Sequence, residues 1–255
     1  MEPVAFPLNK YFLETPIAHR GLHEGNIDEN SLSAYKKAIE KKYAIEIDVH
    51  LMKDGKLLIH HDGDIKRITG HDIKISDLVE EDLDKYPMSL SGEKIPTLKE
   101  FLSLVNGQVP VLIELKIDGE FNPKICDVLL ENLKDYPRKD YIALQSFHPY
   151  AVKYLKENTN EYSVGQLACR KYEGYSKIIE YLLSNLKLFK SSHADFISYD
   201  INGLPHKRVA KLHKKYPLLC WTVDTYEKLE KSKQFADNII FEYIDIGRQK
   251  WWMTH

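Results

Sequence analysis

The stretch from Ile45 to Asp62 carries Glu46, Asp48, His50, His60, His61 and Asp62, side chains of the types that hold a metal ion or move a proton. Glu46 and Asp48 are two apart in an extended run, so they share one face of a strand. Asp54-Gly55 reads as a two-residue hairpin turn. With that turn setting the register, Lys53 faces Lys56, and counting outward puts Asp48 opposite His61. Two carboxylates and an imidazole then meet at one spot, an arrangement suited to holding a cation and moving a proton. An isolated E-x-D on a strand is usually solvated, and most histidines in a chain with eleven of them are structural. Here Ile45, Ile47 and Val49 make the opposite face apolar as well. Acids on such a strand are expected to line a cavity.

The elements that must position these groups alternate along the chain. Strands are predicted at Pro16–Arg20, Ala44–Leu51, Val109–Leu115, Tyr141–Phe147, Tyr162–Leu167, Phe196–Ile201, Leu218–Val223 and Asn238–Tyr243, with Lys56–His61 as a return arm. Amphipathic helices are predicted at Glu29–Lys42, Thr97–Leu104, Pro123–Lys134, Pro149–Glu157, Tyr175–Lys187, Pro205–Lys215 and Thr225–Gln234, three of them opened by proline. Strands joined through crossover helices at this chain length predict an α/β fold, the (β/α)8 TIM barrel. A doubly wound sheet is the competitor, and no G-x-G-x-x-G follows the first strand to support its nucleotide-binding form. The expected organisation is one domain over residues 1–255, with a small turn-rich insertion at about residues 62–108 after the hairpin.

Composition narrows the partners. A formal net charge of −2 with interspersed signs gives no nucleic-acid footprint. Cys126, Cys169 and Cys220 are widely spaced, odd in number and lack metal-ligand spacing, as reduced thiols would be. No signal peptide is evident in Met1–Lys10, and no run approaches the ~20 apolar residues that span a bilayer. A cytoplasmic protein is the expectation. Trp251 and Trp252 read as packing or as an oligomer contact, so a homo-oligomer stays open.

Catalytic groups of such a barrel sit at the carboxyl ends of its strands, and there the polar residues fall. His19 and Arg20 end the first strand, Glu46 and Asp48 lie on the second, and Glu114 and Lys116 end the third. Gln145 and Ser146 lie near the end of the fourth, Trp221 and Asp224 near the end of the seventh. Singly, each has a plain explanation: a bonded core histidine, a rim salt bridge, a buried ion pair, a core tryptophan. Together at one rim they are hard to explain by packing. Three converging carboxylates, Glu46, Asp48 and Glu114, would raise one another's pKa unless a cation joined them. An all-oxygen set favours Mg2+ or Ca2+ over Zn2+. The remaining His19, Arg20, His61 and Lys116 suit an anionic substrate, and phosphate fits the arginine fork.

In order, the chain reads H-R-G (19–21), E-N (29–30), I-E-I-D-V (45–49), K-D-G (53–55), H-H-D (60–62), R-I-T-G (67–70), I-P-T-L-K-E-F-L (95–102) and I-E-L-K (113–116). This series resembles the glycerophosphodiester phosphodiesterase family, within the phospholipase-C-like phosphodiesterase barrels. It continues more weakly through Q-S-F (145–147) and W-T-V-D (221–224). The resemblance implies metal-dependent hydrolysis of a small glycerophosphodiester to sn-glycerol 3-phosphate and an alcohol. It implies Glu46, Asp48 and Glu114 as ligands of one divalent cation, with His19 and His61 as the acid–base pair. Arg20 and Lys116 would contact phosphate, and Trp221 would pack against the glycerol. It also implies that a neighbouring substrate hydroxyl attacks phosphorus, giving a cyclic phosphate that water opens. Two departures bear on substrate preference: Asp224 where the family commonly has asparagine, and Glu242 in the final strand. The alternatives are the same chemistry on a phospholipid or a glycerophosphate polymer, or a barrel that binds without catalysis.

Overall fold

A computed structural model describes residues 7–247, so Trp251 and Trp252 lie outside the described residues. The strands are β1 (Ile17–Ala18), β2 (Ala44–Leu51), β3 (Leu57–Ile59), β4 (Val111–Leu115), β5 (Ile142–Ser146), β6 (Ser163–Ala168), β7 (Phe196–Asp200), β8 (Leu218–Val223) and β9 (Asn238–Phe241). The helices are α1 (Tyr11–Glu14), α2 (Leu32–Lys41), α3 (Lys66–Thr69), α4 (Leu98–Val105), α5 (Lys124–Leu133), α6 (Pro149–Asn158), α7 (Lys177–Ser184), α8 (Lys207–His213) and α9 (Tyr226–Ser232). β3 returns antiparallel to β2, and the other eight strands follow one another in the order of a (β/α)8 barrel, the expected fold class. Among the described residues no helix is long and apolar enough to cross a membrane.

The chain divides into two compact units, Ala18–Ile142 and Met1–Ile17 with Ala143–His255. In the first, β2 pairs with β3 on one side and runs parallel to β4 on the other. Helix α2 begins at Leu32 rather than at the expected Glu29. Asn30 turns left-handed at φ +55, and Ser31 then caps the helix by accepting from Ala34 N–H. Thr97 and Glu100 make a reciprocal capping box that starts α4. Tyr35 of α2 meets Phe101 of α4 edge to face at 4.6 Å. The turn-rich stretch after the hairpin has a core of its own: Ile65, Ile68, Ile75, Leu83 and Ile95 cluster with Met52 and Leu58 of the hairpin.

In the second unit β5 to β9 run parallel, each paired with its successor in the chain. Gly165 of β6 is required by close approach, since a β-carbon there would lie 2.2 Å from the Phe196 ring of β7. Beside it lies a buried ion pair. Lys156 Nζ donates to both oxygens of Asp195, at 3.0 and 2.8 Å, and Asp195 also accepts from Val164 N–H at 2.9 Å. The Lys156 side chain is 0% exposed and that of Asp195 3%. Removing one partner strands a buried charge, which costs far more than the pair itself contributes. Asp195→Ala is expected to lower unfolding stability by about 3–5 kcal/mol. Lys156→Met/Asp195→Asn removes both charges and keeps an acceptor for Val164, so it should recover most of that loss in urea denaturation.

Candidate active site

The acidic cluster follows from strand register. β2 and β4 pair parallel with Asp48 opposite Glu114 and Glu46 opposite Leu112, so Asp48 and Glu114 project side by side. Glu46 is one pleat away on the same face. All three are buried, and one ligand oxygen from each lies within 4.8 Å of the others. Two residues after Glu114, Lys116 brings Nζ to 2.7 Å from Glu114 Oε1 and 3.0 Å from Asp48 Oδ1. One ammonium thus serves two buried carboxylates at once.

His19 and Arg20 lie in the turn after β1, not within the strand. Arg20 and Gly21 both take the left-handed conformation, at φ +55 and +82. A β-carbon on Gly21 would approach Ala34 Cβ to 2.9 Å. The turn aims Arg20 N–H at Glu46 Oε2 (3.2 Å) and the guanidinium Nε at Asp48 Oδ2 (3.3 Å). Asn30 donates to the same Asp48 oxygen at 3.1 Å and accepts from the Tyr35 hydroxyl at 2.8 Å. Half-buried His19 is near enough to act on the charge of Asp48.

The hairpin differs from its expected form. Met52 N–H donates to Lys56 O at 2.9 Å and Gly55 N–H to Met52 O at 3.0 Å, so Lys53, Asp54 and Gly55 form a three-residue loop. Gly55 takes φ +83, as the last position of such a loop demands. The added residue slips the register by one: Val49 pairs with Ile59, and His60 N–H donates to Asp48 O at 3.0 Å. Asp48 therefore faces His60, not His61. β3 ends at Ile59, and His61 stands on the loop that follows, within electrostatic reach of Lys116, Asp48 and Arg20.

That loop is held from two sides. Buried His50 spans Asp118 Oδ2 (2.8 Å) and the His61 carbonyl (3.2 Å). His61 Nδ1 meets Asp62 Oδ1 at 2.7 Å, and Asp62 Oδ2 accepts from Arg67 Nε at 2.6 Å. Arg67 Nη2 donates to Glu29 Oε1 at 2.7 Å, and Arg20 Nη1 donates to that same oxygen at 2.7 Å. A row of alternating charges thus connects Arg20 to His61 through Glu29, Arg67 and Asp62. The E-N and R-I-T-G motifs contain Glu29, Asn30 and Arg67, but nothing in their spacing says what they touch.

Charge is unevenly shared. Burial raises the Asp48 pKa, but Lys116 and Arg20 outweigh it and hold the carboxyl far below its usual range. Burial, then the neighbouring Asp48 and Glu114, pushes Glu46 well up. Burial also raises Glu114, with Lys116 opposing. His61 falls to about 4, by burial first and then by the Lys116 charge. Burial raises the Asp62 carboxyl, but its bonds to Arg67 and His61 outweigh that and bring it down to about 2. Three buried carboxylates against two cations make a set that a hard divalent cation would complete.

Trp221 lies on β8 in the other unit, with Phe147 edge-on at 5.5 Å and its buried Nε1 lacking a hydrogen bond among the described residues. Asp224 pairs with Lys228 Nζ at 2.7 Å. Glu242 follows β9, and its N–H donates to Val223 O at 3.1 Å.

Residues 19–246 match the glycerophosphoryl diester phosphodiesterase family. A glycerophosphodiester phosphodiesterase of Caldanaerobacter subterraneus is 30% identical over 234 residues, 88% of this chain and 92% of its own. The solved glycerophosphodiester phosphodiesterase of Thermotoga maritima is 26% identical with a TM-score of 0.69, covering 89% of this chain and 94% of its own. A phosphodiesterase of Oleispira antarctica, solved with the product sn-glycerol-3-phosphate, shares the fold at a TM-score of 0.77 and 23% identity, covering 91% and 93%. The family match begins at His19 itself and runs past β9, so the chain belongs to the glycerophosphoryl diester phosphodiesterase family.

Proposed function

We propose that this protein hydrolyses small glycerophosphodiesters to sn-glycerol 3-phosphate and an alcohol. One divalent cation, Mg2+ or Ca2+, would be held by Glu46, Asp48 and Glu114. The observation that carries the reading is the buried cluster of those three carboxylates beside two cations and His61. The product bound to the Oleispira antarctica phosphodiesterase supports the substrate class. The reading extends to one catalytic domain over residues 1–255, with about 62–108 as an insertion. It extends also to the cytoplasm, supported by the free thiols of Cys126, Cys169 and Cys220.

A bound cation would offset the excess negative charge of the cluster and draw charge from the phosphoryl oxygens. Arg20 and Lys116 add positive charge on the substrate side, and Trp221 is assigned to the glycerol. His61 and His19 move the protons. The low pKa of His61 leaves its imidazole neutral at pH 7. The ionised Asp62 can only accept, so the Nδ1 proton of His61 points to it and Nε2 carries the lone pair. His61 is therefore the base that takes the proton of the attacking hydroxyl, and His19 is the acid that protonates the departing alcohol oxygen. When water opens the cyclic phosphate the two exchange roles. Arg67 acts through others: its fork fixes Asp62 behind His61 and Glu29 behind Arg20.

Release of glycerol 3-phosphate from glycerophosphocholine or glycerophosphoethanolamine, abolished by EDTA and restored by Mg2+ or Ca2+, tests the whole reading. Glu114→Gln should weaken cation binding in calorimetry by at least tenfold. An unchanged affinity would remove the three-carboxylate site. Arg67→Ala should lower kcat about 10–100-fold with little change in KM, the scale set by loss of a supporting partner. Arg67→Lys should recover little, because a single ammonium cannot serve both carboxylates as the fork does. A base must be unprotonated to accept a proton, so with the cation saturating, which keeps Glu46 and Glu114 ionised, kcat/KM should hold down to mildly acid pH. It should fall as pH drops through about 4. An acid limb near 6.5, the ordinary histidine value, would argue against His61 in this role.

A further inference from the structure

The helix after β6 carries apolar side chains on its outer side. A surface helix normally lays its apolar stripe on the core and its polar face in water. In α7 the buried residue is Ser184, whereas Ile178 is 73% exposed, Tyr181 54% and Ile179 44%. At 3.6 residues per turn Tyr181, Ile178 and Ile179 fall within about 160° of arc, with half-buried Leu182 among them, so the exposed residues share one side of the helix. Tyr175, just ahead of the helix, is 55% exposed. An apolar strip held in water marks a surface made to be covered.

Charge around the strip narrows what covers it. Residues 170–190 carry Arg170, Lys171, Lys177, Lys187 and Lys190 against only Glu173 and Glu180, in a chain of formal net charge −2. Lys187 Nζ stands 5.3 Å from the centre of the Tyr181 ring, so a cation lies at the edge of the strip itself. A second copy of this chain meeting the same face would bring that positive charge against its own kind. An aromatic row leads inward from Tyr175: it packs on Tyr172 at 5.9 Å, Tyr172 on Phe147 at 6.1 Å, and Phe147 on Trp221 at 5.5 Å. α7 also follows the carboxyl end of β6, the end at which (β/α)8 enzymes do their chemistry.

We propose that the α7 face docks on an anionic lipid surface. Ile178, Ile179 and Tyr181 enter the headgroup–acyl boundary, and Lys177 and Lys187 meet the phosphates. That hydrolysis then takes place beside that surface rests on the catalytic reading above. Docking itself does not.

The test is cosedimentation of the full chain with phosphatidylcholine vesicles, with and without phosphatidylglycerol, and without substrate. Binding should require phosphatidylglycerol and weaken as salt is added. Ile178→Asp and Tyr181→Asp should each weaken it roughly tenfold or more, the scale of losing one buried apolar side chain. Hydrolysis of soluble glycerophosphocholine by both variants should stay at the level of the parent protein, which also shows that they fold. Equal binding to vesicles of either composition, or binding untouched by both substitutions, overturns the proposal. So does a dimer in solution that Ile178→Asp dissociates, since the face would then be a contact between copies. An inactive protein that still binds anionic vesicles sinks the catalytic reading and sustains this one.

Discussion

Parallel pairing of β2 with β4 sets Asp48 directly opposite Glu114, and the pleat puts Glu46 on the same face. Three carboxylates are thereby committed to one buried place by backbone hydrogen bonds that cannot shift one residue without turning every side chain over. Taking an ionised carboxylate out of water costs several kcal/mol even after relaxation. The surrounding structure has to answer that cost, and its answer is lopsided. Asp48 receives Arg20, Lys116 and the Asn30 amide. Glu114 shares Lys116, while Glu46 accepts from the backbone N–H of Arg20. Glu46 is accordingly the carboxyl held furthest above its ordinary range and the one most dependent on a cation from outside.

The compensation does not stop at the cluster. Arg20 is itself held by Glu29, Glu29 by Arg67, and Arg67 by Asp62 next to His61. Arg67 belongs to a four-residue helix too short to be stable alone. Its position comes from Ile65 and Ile68, which pack in the cluster formed with Met52 and Leu58 of the hairpin. Apolar packing in the stretch after the hairpin thus fixes a guanidinium, which in turn fixes a carboxylate on each arm of the site. The apolar cluster of that stretch thereby sets the orientation of polar groups.

The strands and most helices were legible because period and capping are local. Thr97 with Glu100 and the proline opening α6 can be read from a few residues. The acids were legible as well, since E-x-D on an apolar strand leaves few places to go. The hairpin was not. Asp54-Gly55 supports either a two-residue turn or the end of a three-residue loop, and choosing between them moves Asp48 from His61 to His60. Local sequence sets that choice only weakly, because a glycine at positive φ suits both loops. The partners of Glu29 and Arg67 were illegible for another reason: their contact spans 38 residues of chain and depends on how α3 packs. The face of α7 escaped likewise, for periodicity reveals that a helix is amphipathic and not which side meets the core.

Strain tells the same story from the backbone. Arg20 and Asn30 are not glycines, yet both stand near φ +55, a conformation that costs a residue with a β-carbon about 1 kcal/mol or more. Glycine at either place would relieve the backbone and lose the side chain that reaches Asp48. The two strained residues also hold each other, since Asn30 N–H donates to Arg20 O at 2.9 Å. Gly21 beside them has no such choice, because α2 passes too close for any β-carbon. The left-handed turn is therefore kept for what Arg20 and Asn30 deliver to a buried carboxylate. The strain and the charge compensation are two sides of the same constraint.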